Sequence, residues 1–334
     1  MNADASAAVA APAPGGARLP DGRWRPLEIA FWLLPVVAFF ALPDYRVLGR
    51  QVLITGLFAV SLDLLLGYAG IVSLGHAAFF GIGAYTAGLL AKNGFNEPIS
   101  GLLVAAMVAA AAGYLLSFLV VRGGDLTRLM VTLGIGLMLW EGANKAAFIT
   151  GGVDGMSFSA GKLFGTWSFD IGGRVAFLYA LAVVFLVFVL VRRLVNSPFG
   201  LSIRGIREGG KRMPGIGAPV AKRLRTIFTI GAAVAGIAGA LLAQTTQFVG
   251  IDTLGFPRSA ELLVMLVLGG TGRLYGGLVG AALFMIAQDY LSGIDPVYWE
   301  FWIGFFLVVI VLFARGGILG GLETLHARLT ADKR

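Results

Sequence analysis

The 334-residue chain has no cysteine, only two histidines and only 13% charged residues. Without cysteine it forms no disulfide and no thiolate metal site. Its histidines, His76 and His326, lie far apart and give no metal-ligand spacing. An ordinary soluble domain carries about 25% charged residues, so this chain has too few charges to cover a globule of its size. The G-x-x-x-x-G-K-[ST] phosphate loop is also missing.

What the chain has instead is apolar sequence, 57% of its residues, with a mean hydropathy of +0.85. Apolar segments run approximately over 27–42, 51–67, 72–91, 99–121, 129–148, 174–191, 226–247, 260–272, 274–290 and 298–314. Several approach the ~20 residues that cross a bilayer. The expected fold is therefore an all-α polytopic membrane protein of about ten transmembrane or partly re-entrant helices. Glycine interrupts the runs near 67–74 and 269–277, where broken helices are tolerated if protein covers the backbone. Residues 1–26, rich in Ala, Pro and Gly, lack the basic start and apolar core of a signal peptide and are expected to form a disordered cytoplasmic tail. A transmembrane domain over 27–318 and a cytoplasmic tail over 319–334 would follow.

The connection 192–225 holds Arg192, Arg193, Arg204, Arg207, Lys211, Arg212, Lys222, Arg223 and Arg225 against one acid, Glu208. Positive loops stay inside. With that loop cytoplasmic and ten crossings, both termini are cytoplasmic too. The formal charge of +8 then reflects topology and contact with anionic lipid rather than nucleic-acid binding.

The stretch GYAGIVSLGHAAFFGIGAYTAGLL at 67–90 is oily yet rich in glycine. Each interior glycine costs a helix about 1 kcal/mol relative to alanine. In lipid, however, helices associate by close backbone approach, which small residues at i, i+4 spacing allow. Gly67, Gly70, Gly75 and Gly81 are expected packing positions, as are Gly272 and Gly277 in the second cluster, GGTGRLYGGLVGAALF, which echoes the first. Polar groups at membrane depth are costly and mark pathways or satisfied interior contacts. Asp63, Ser73 and His76 are candidates for the substrate pathway, and Gln244, at the exit of the AGIAGALLA helix, is another. Glu141 and Lys145, at i, i+4, read as a structural pair. Glu261 is expected at a membrane interface.

The stretch at 67–90 resembles the signature of branched-chain amino acid ABC transporter permeases of the LivM type. So, in order, do TGGVDGM at 150–156, SPFGLSIRGIRE at 197–208, AGIAGALLA at 235–243 and LVLGGTGRLYGGLVGAAL at 266–283. The resemblance implies an ABC importer permease fold in a bacterial inner membrane. It implies a transport subunit that is not itself an enzyme and carries no cofactor. Its partners would be cytoplasmic ABC ATPase subunits, a second homologous permease and a periplasmic substrate-binding protein. The substrate would be a branched-chain or related amino acid, with urea, amides or aromatic carboxylates as the alternative. The missing phosphate loop agrees with ATP being bound by another chain.

In the family, an Arg-x-x-Arg-Glu start leads into a short ATPase-docking helix that ends at a glycine. Arg204, Arg207, Glu208 and Gly217 match that pattern without a gap. Gly209-Gly210 replaces the usual Asn-Glu, and Pro214-Gly215 stands where helix formers are common. Interior proline costs about 3 kcal/mol, so a free helix over this stretch should be scarcely populated. Two other classes remain open. An ion-coupled carrier would need a dense polar cluster at the midplane, and a membrane enzyme would rest on His76 and Asp63 alone. The absence of native cysteine makes topology directly testable. Ser202→Cys should react with an impermeant thiol reagent only from the cytoplasmic side and Ser157→Cys only from the periplasmic side, and the reverse pattern would overturn the orientation.

Overall fold

A computed structural model describes residues 26–161, 163, 167, 169, 173–210, 212–313, 317, 318 and 320. The expected tails lie outside the described residues except for Pro26 and Gly320, and so does Lys211.

The chain folds into helices α1 (Pro26–Ala41), α2 (Arg46–Asp63), α3 (Ala77–Lys92), α4 (Pro98–Val120), α5 (Asp125–Lys145) and a single turn, α6 (Ala147–Thr150). It continues through α7 (Arg174–Val195), α8 (Pro198–Gly209), α9 (Val220–Thr246), α10 (Phe256–Gly269), α11 (Leu274–Ile294) and α12 (Trp299–Phe313). The two strands, β1 (Met156–Ser157) and β2 (Phe248–Val249), pair antiparallel and tie the segment after α6 to the end of α9. Each of the ten apolar segments thus acquires a helix. Six stretches among the described residues are long and apolar enough to cross a membrane: Pro43–Tyr68, α4, α5, α7, α9 and α11. Helices α1, α3, α10 and α12 are shorter, at 16, 16, 14 and 15 residues.

Helix α2 is the centre of the bundle. Leu57, Phe58, Ala59, Val60 and Leu62 have no solvent exposure, as expected of a helix that is apolar on every side. Around it, α3, α4 and α9 approach backbone to backbone. A Cβ built on Gly83 would strike the carbonyl of Gly236, one on Gly239 the carbonyl of Phe80, and one on Gly113 the Cβ of Ala232. Small residues are what allow this spacing, and the dispersion contacts it creates replace the hydrophobic drive that lipid does not supply. By contrast, only Thr132 and Gly136 of α5 are buried, and Cβ atoms at its Gly134 and Gly142 would meet nothing within 4 Å.

Polar ties fix the rim. Arg192 of α7 pairs with Glu28 of α1 at 2.8 Å, and Arg50 of α2 donates to the Thr245 carbonyl at 3.0 Å. Glu141 and Lys145 form their i, i+4 pair at 3.6 Å on the exposed side of α5. The Ser202 hydroxyl is buried, so Glu208, exposed on the same helix, is the better cysteine position for topology.

The glycine contacts predict a contrast. Gly239→Val forces α9 away from α3, and overpacking of this kind costs about 1–3 kcal/mol or more. Its membrane abundance and thermal stability in detergent should fall, whereas Gly134→Ala should leave both unchanged. Equal behaviour of the two variants would contradict the packing account.

Candidate functional site

Two helix pairs, α2–α3 and α10–α11, are each interrupted by glycine, and the interruptions meet. Helix α2 loosens into a π-turn over Leu64–Tyr68 and then leaves helical geometry until α3 begins at Ala77. Single π-turns recur at functional positions because they shift side chains out of helical register. Helix α10 stops at Gly269, and α11 starts at Leu274. The reversals need left-handed backbone, supplied by Gly70 at φ +70° and Gly272 at φ +79°.

Asp63 joins the two. It is fully buried, and its Oδ1 accepts the Gly272 N–H at 2.7 Å. Gly67 lies against the same atoms: a Cβ there would overlap Asp63 Oδ1 and the Gly272 nitrogen. The Gly67 carbonyl, left without a helical partner, accepts from Arg207 Nη1. Arg207 lies within electrostatic reach of Asp63. Its stem passes Gly70, where a Cβ would approach Arg207 Cγ to 3.2 Å, and its Nη1 would be 3.2 Å from a Cβ on Gly272. One guanidinium therefore sits on both breaks. Beside it, the Arg204 guanidinium covers the Tyr68 ring at 5.0 Å. A cation placed there is attracted by the ring's negative face.

Both arginines belong to α8, and the reason this segment is helical can be read in its residues. Ser197 caps it by accepting the Gly200 N–H at 3.4 Å, and Pro198 occupies the first turn, where no N–H is needed. Ile203 and Ile206 bury one face; Arg207, one turn after Ile203, lies at the edge of that face and reaches inward, while Glu208 emerges outside. The helix ends at Gly209. The expected order is thereby altered: Arg204, Arg207 and Glu208 lie in the last turns of a helix that precedes the glycines, not at the start of one that follows them. The Gly209-Gly210 pair stops the helix, and Pro214 opens a 3₁₀ turn over Met213–Ile216 that closes at Gly217, φ +79°.

The break between α2 and α3 has further ties. The Leu74 N–H donates to Thr132 Oγ1 of α5 at 3.2 Å, and the Ala77 N–H donates to Ser259 Oγ of α10 at 2.9 Å. Gly75 packs on the Thr132 carbonyl, Gly81 packs on Leu254, and Gly277 of α11 meets α2, a Cβ there lying 2.9 Å from the Val60 nitrogen. Thr132, Ser61 and Ser259 are not among the sequence candidates. A small hydroxyl in an apolar helix has no pattern that distinguishes a tether from a residue bonded to its own turn.

His76 and Ser73 are buried just before α3. His76 has no exposure; its ring stacks on Phe58 at 5.7 Å and meets the edge of Phe79 at 5.8 Å. His76 Nε2 lies 2.8 Å from Ser61 Oγ, which itself donates to the Phe58 carbonyl at 2.6 Å. With the only hydroxyl proton committed there, Nε2–H is the donor, and Nδ1 has no hydrogen-bond partner among the described residues. Gln244 stands toward the other end of α9, where its Nε2 donates to the Pro98 carbonyl at 2.7 Å and its Oε1 accepts from Tyr179 at 2.9 Å. The structure thus brings Asp63, Arg207, Gly67, Gly70 and Gly272 together, sets His76 and Ser73 nearby in sequence, and keeps Gln244 apart. Among the described residues, no three His, Asp or Glu side chains gather as a metal site.

Comparison with known proteins gives the family. Residues 47–314 match the family model described as branched-chain amino acid transport system / permease component. The high-affinity branched-chain amino acid transport system permease protein LivM of Salmonella typhimurium is 31% identical over 286 residues, 79% of this chain and 67% of the relative, and LivM of Escherichia coli K12 matches to the same extent. The Escherichia coli K12 permease protein LivH is 24% identical over 288 residues, 80% of this chain and 91% of the relative. No solved structure matches. A match to the family model over most of the chain, including both glycine breaks and α8, together with relatives of this similarity, places the chain in the branched-chain amino acid transport permease family, as a multi-pass membrane protein.

Proposed function

We propose that the chain is the membrane-embedded permease subunit of an ATP-driven uptake system for branched-chain amino acids in the bacterial inner membrane. It would cross ten times, with both termini cytoplasmic. A second, homologous permease would pair with it, cytoplasmic ATPase subunits would hydrolyse ATP, and a periplasmic binding protein would deliver the substrate. The substrate class rests on what the relatives are named for.

The observation that carries the coupling role is Arg207. It reaches from an exposed helix to the Gly67 carbonyl and stands beside Gly70 and Gly272. A protein docked on Arg204, Glu208 and the turn that ends at Gly217 would therefore pull on both broken helix pairs through one side chain. Coupling of this kind needs a discrete element that both sites bias, and α8 with its two breaks is such an element. Asp63, Ser73, His76 and Gln244 then serve the pathway from behind: they hold its walls in register, and the substrate moves past surfaces they position.

Hydrogen exchange tests the docking element. Helix α8 is capped and has a buried face, so residues 198–209 should be protected with or without the ATPase. Residues 210–220, with their glycines and Pro214, should gain protection only when the ATPase covers them, the ordering cost being drawn from the docking energy. In the reconstituted transporter Glu208→Arg should lower leucine uptake about tenfold or more at normal permease abundance. Unchanged uptake, or no gain of protection on ATPase binding, would exclude this element as the coupling arm.

A further inference from the structure

At the far end of α9 from α8 lies a cavity of about 580 Å³, within the range of small-molecule sites. Its apolar wall is Leu137 and Trp140 of α5, Leu242 of α9 and Phe256 of α10. Its charged wall is Asp252, in the turn before α10, with Arg258 and Glu261 in the first turns of α10. A second cavity, of about 310 Å³, shares Leu242 and Arg258, and its other wall carries Gln51, Thr55, Gln288 and Asp289. Arg258 is thus the partition between a largely apolar chamber and a polar one.

The ionic groups here are incompletely used. Arg258 Nη1 contacts Glu261 Oε2 at 3.0 Å, one bond from a guanidinium that has five donors, and its side chain remains 28% exposed. Its guanidinium also stands 5.9 Å from the centre of the Phe80 ring, so the fork is held in place on that side. Asp252 makes no ion pair among the described residues. It lies within electrostatic reach of Tyr85, whose buried hydroxyl has no hydrogen-bond partner. An available guanidinium fork, an unpaired carboxylate and an apolar wall around one volume are complementary to a small α-amino acid with an apolar side chain. Arginine takes carboxylates in a bidentate, oriented manner.

We propose that this cavity is a substrate vestibule in which Arg258 receives the carboxylate, and Asp252 the ammonium group, of a small zwitterion whose side chain lies against Trp140 and Leu242. The proposal rests on the importer reading above, but the seat can be tested without it. Thr253 lines the cavity, and Thr253→Cys places a single thiol there in the full chain. In membrane vesicles the ratio of its labelling rates by an anionic and a cationic methanethiosulfonate is the readout, because Asp252 and Glu261 share the lining with Arg258. Arg258→Gln should lower that ratio about tenfold, as expected for removing one positive charge a few ångströms away. Arg258→Lys should keep the ratio while losing protection by ligand. L-leucine and isovalerate should slow labelling of the parent, and leucinamide, which lacks the carboxylate, should not.

An Arg258-dependent ratio and isovalerate protection in a transporter that fails to import leucine would uphold the carboxylate seat and refute the amino acid reading instead. A ratio unchanged by Arg258→Gln, or no protection by either carboxylate, would overturn the proposal and reduce Arg258 and Glu261 to an interfacial ion pair.

Discussion

Backbone that leaves helical geometry inside a membrane must find its hydrogen-bond partners in the protein, because lipid offers none. The structure turns on this constraint at two places, the ends of α2 and α10. At each break, main-chain groups are freed and a side chain from elsewhere in the bundle takes them: Asp63 the Gly272 N–H, Arg207 the Gly67 carbonyl, Thr132 the Leu74 N–H and Ser259 the Ala77 N–H. An unpaired buried donor or acceptor costs about 1–3 kcal/mol, so losing one tether would expose a cost that the others do not meet. The breaks are stable only as a connected set.

Connection also underlies the proposed coupling. Four tethers come from four helices, and one of them, Arg207, begins on a helix whose outer face is open. Under the proposed coupling role, movement of α8 would be felt at Gly67 and Gly272 together, and through them by α2, α3, α10 and α11. The glycine packing elsewhere serves the same end: α3, α4 and α9 meet with backbone in contact, and close-packed interiors transmit displacement instead of damping it.

Much of this was legible from residues alone. The apolar runs located ten of the twelve described helices to within about six residues, since lipid imposes length and composition strongly. The glycine clusters identified the breaks, while Arg204, Arg207 and Glu208 lie at the end of α8 instead of at the start of a docking helix, and their coupling role is a proposal. Other features were hidden for physical reasons. Asp63 and Gly272 are 209 positions apart, so no local pattern could join them, and Asp63 read as a pathway acid rather than as a tether. Helix α8 carried a readable start, Ser197-Pro198, but the basic charge of the segment drew attention to topology instead. Arg258 and Asp252 went unremarked because a charge near a membrane interface is ordinary until a cavity is seen beside it.

The central claim is that Arg207 and Asp63 act as one unit across the two breaks, and a double-mutant cycle on transport coupling measures this most directly. Uptake per ATP hydrolysed would be compared in the reconstituted transporter for the parent, Asp63→Asn, Arg207→Gln and the double variant, at matched permease abundance. If the two residues hold a single knot, each single change should lower coupling strongly and the double change should be little worse than the more severe single one, an interaction energy of about 1–3 kcal/mol. Losses that simply multiply would show two independent contacts and contradict the account.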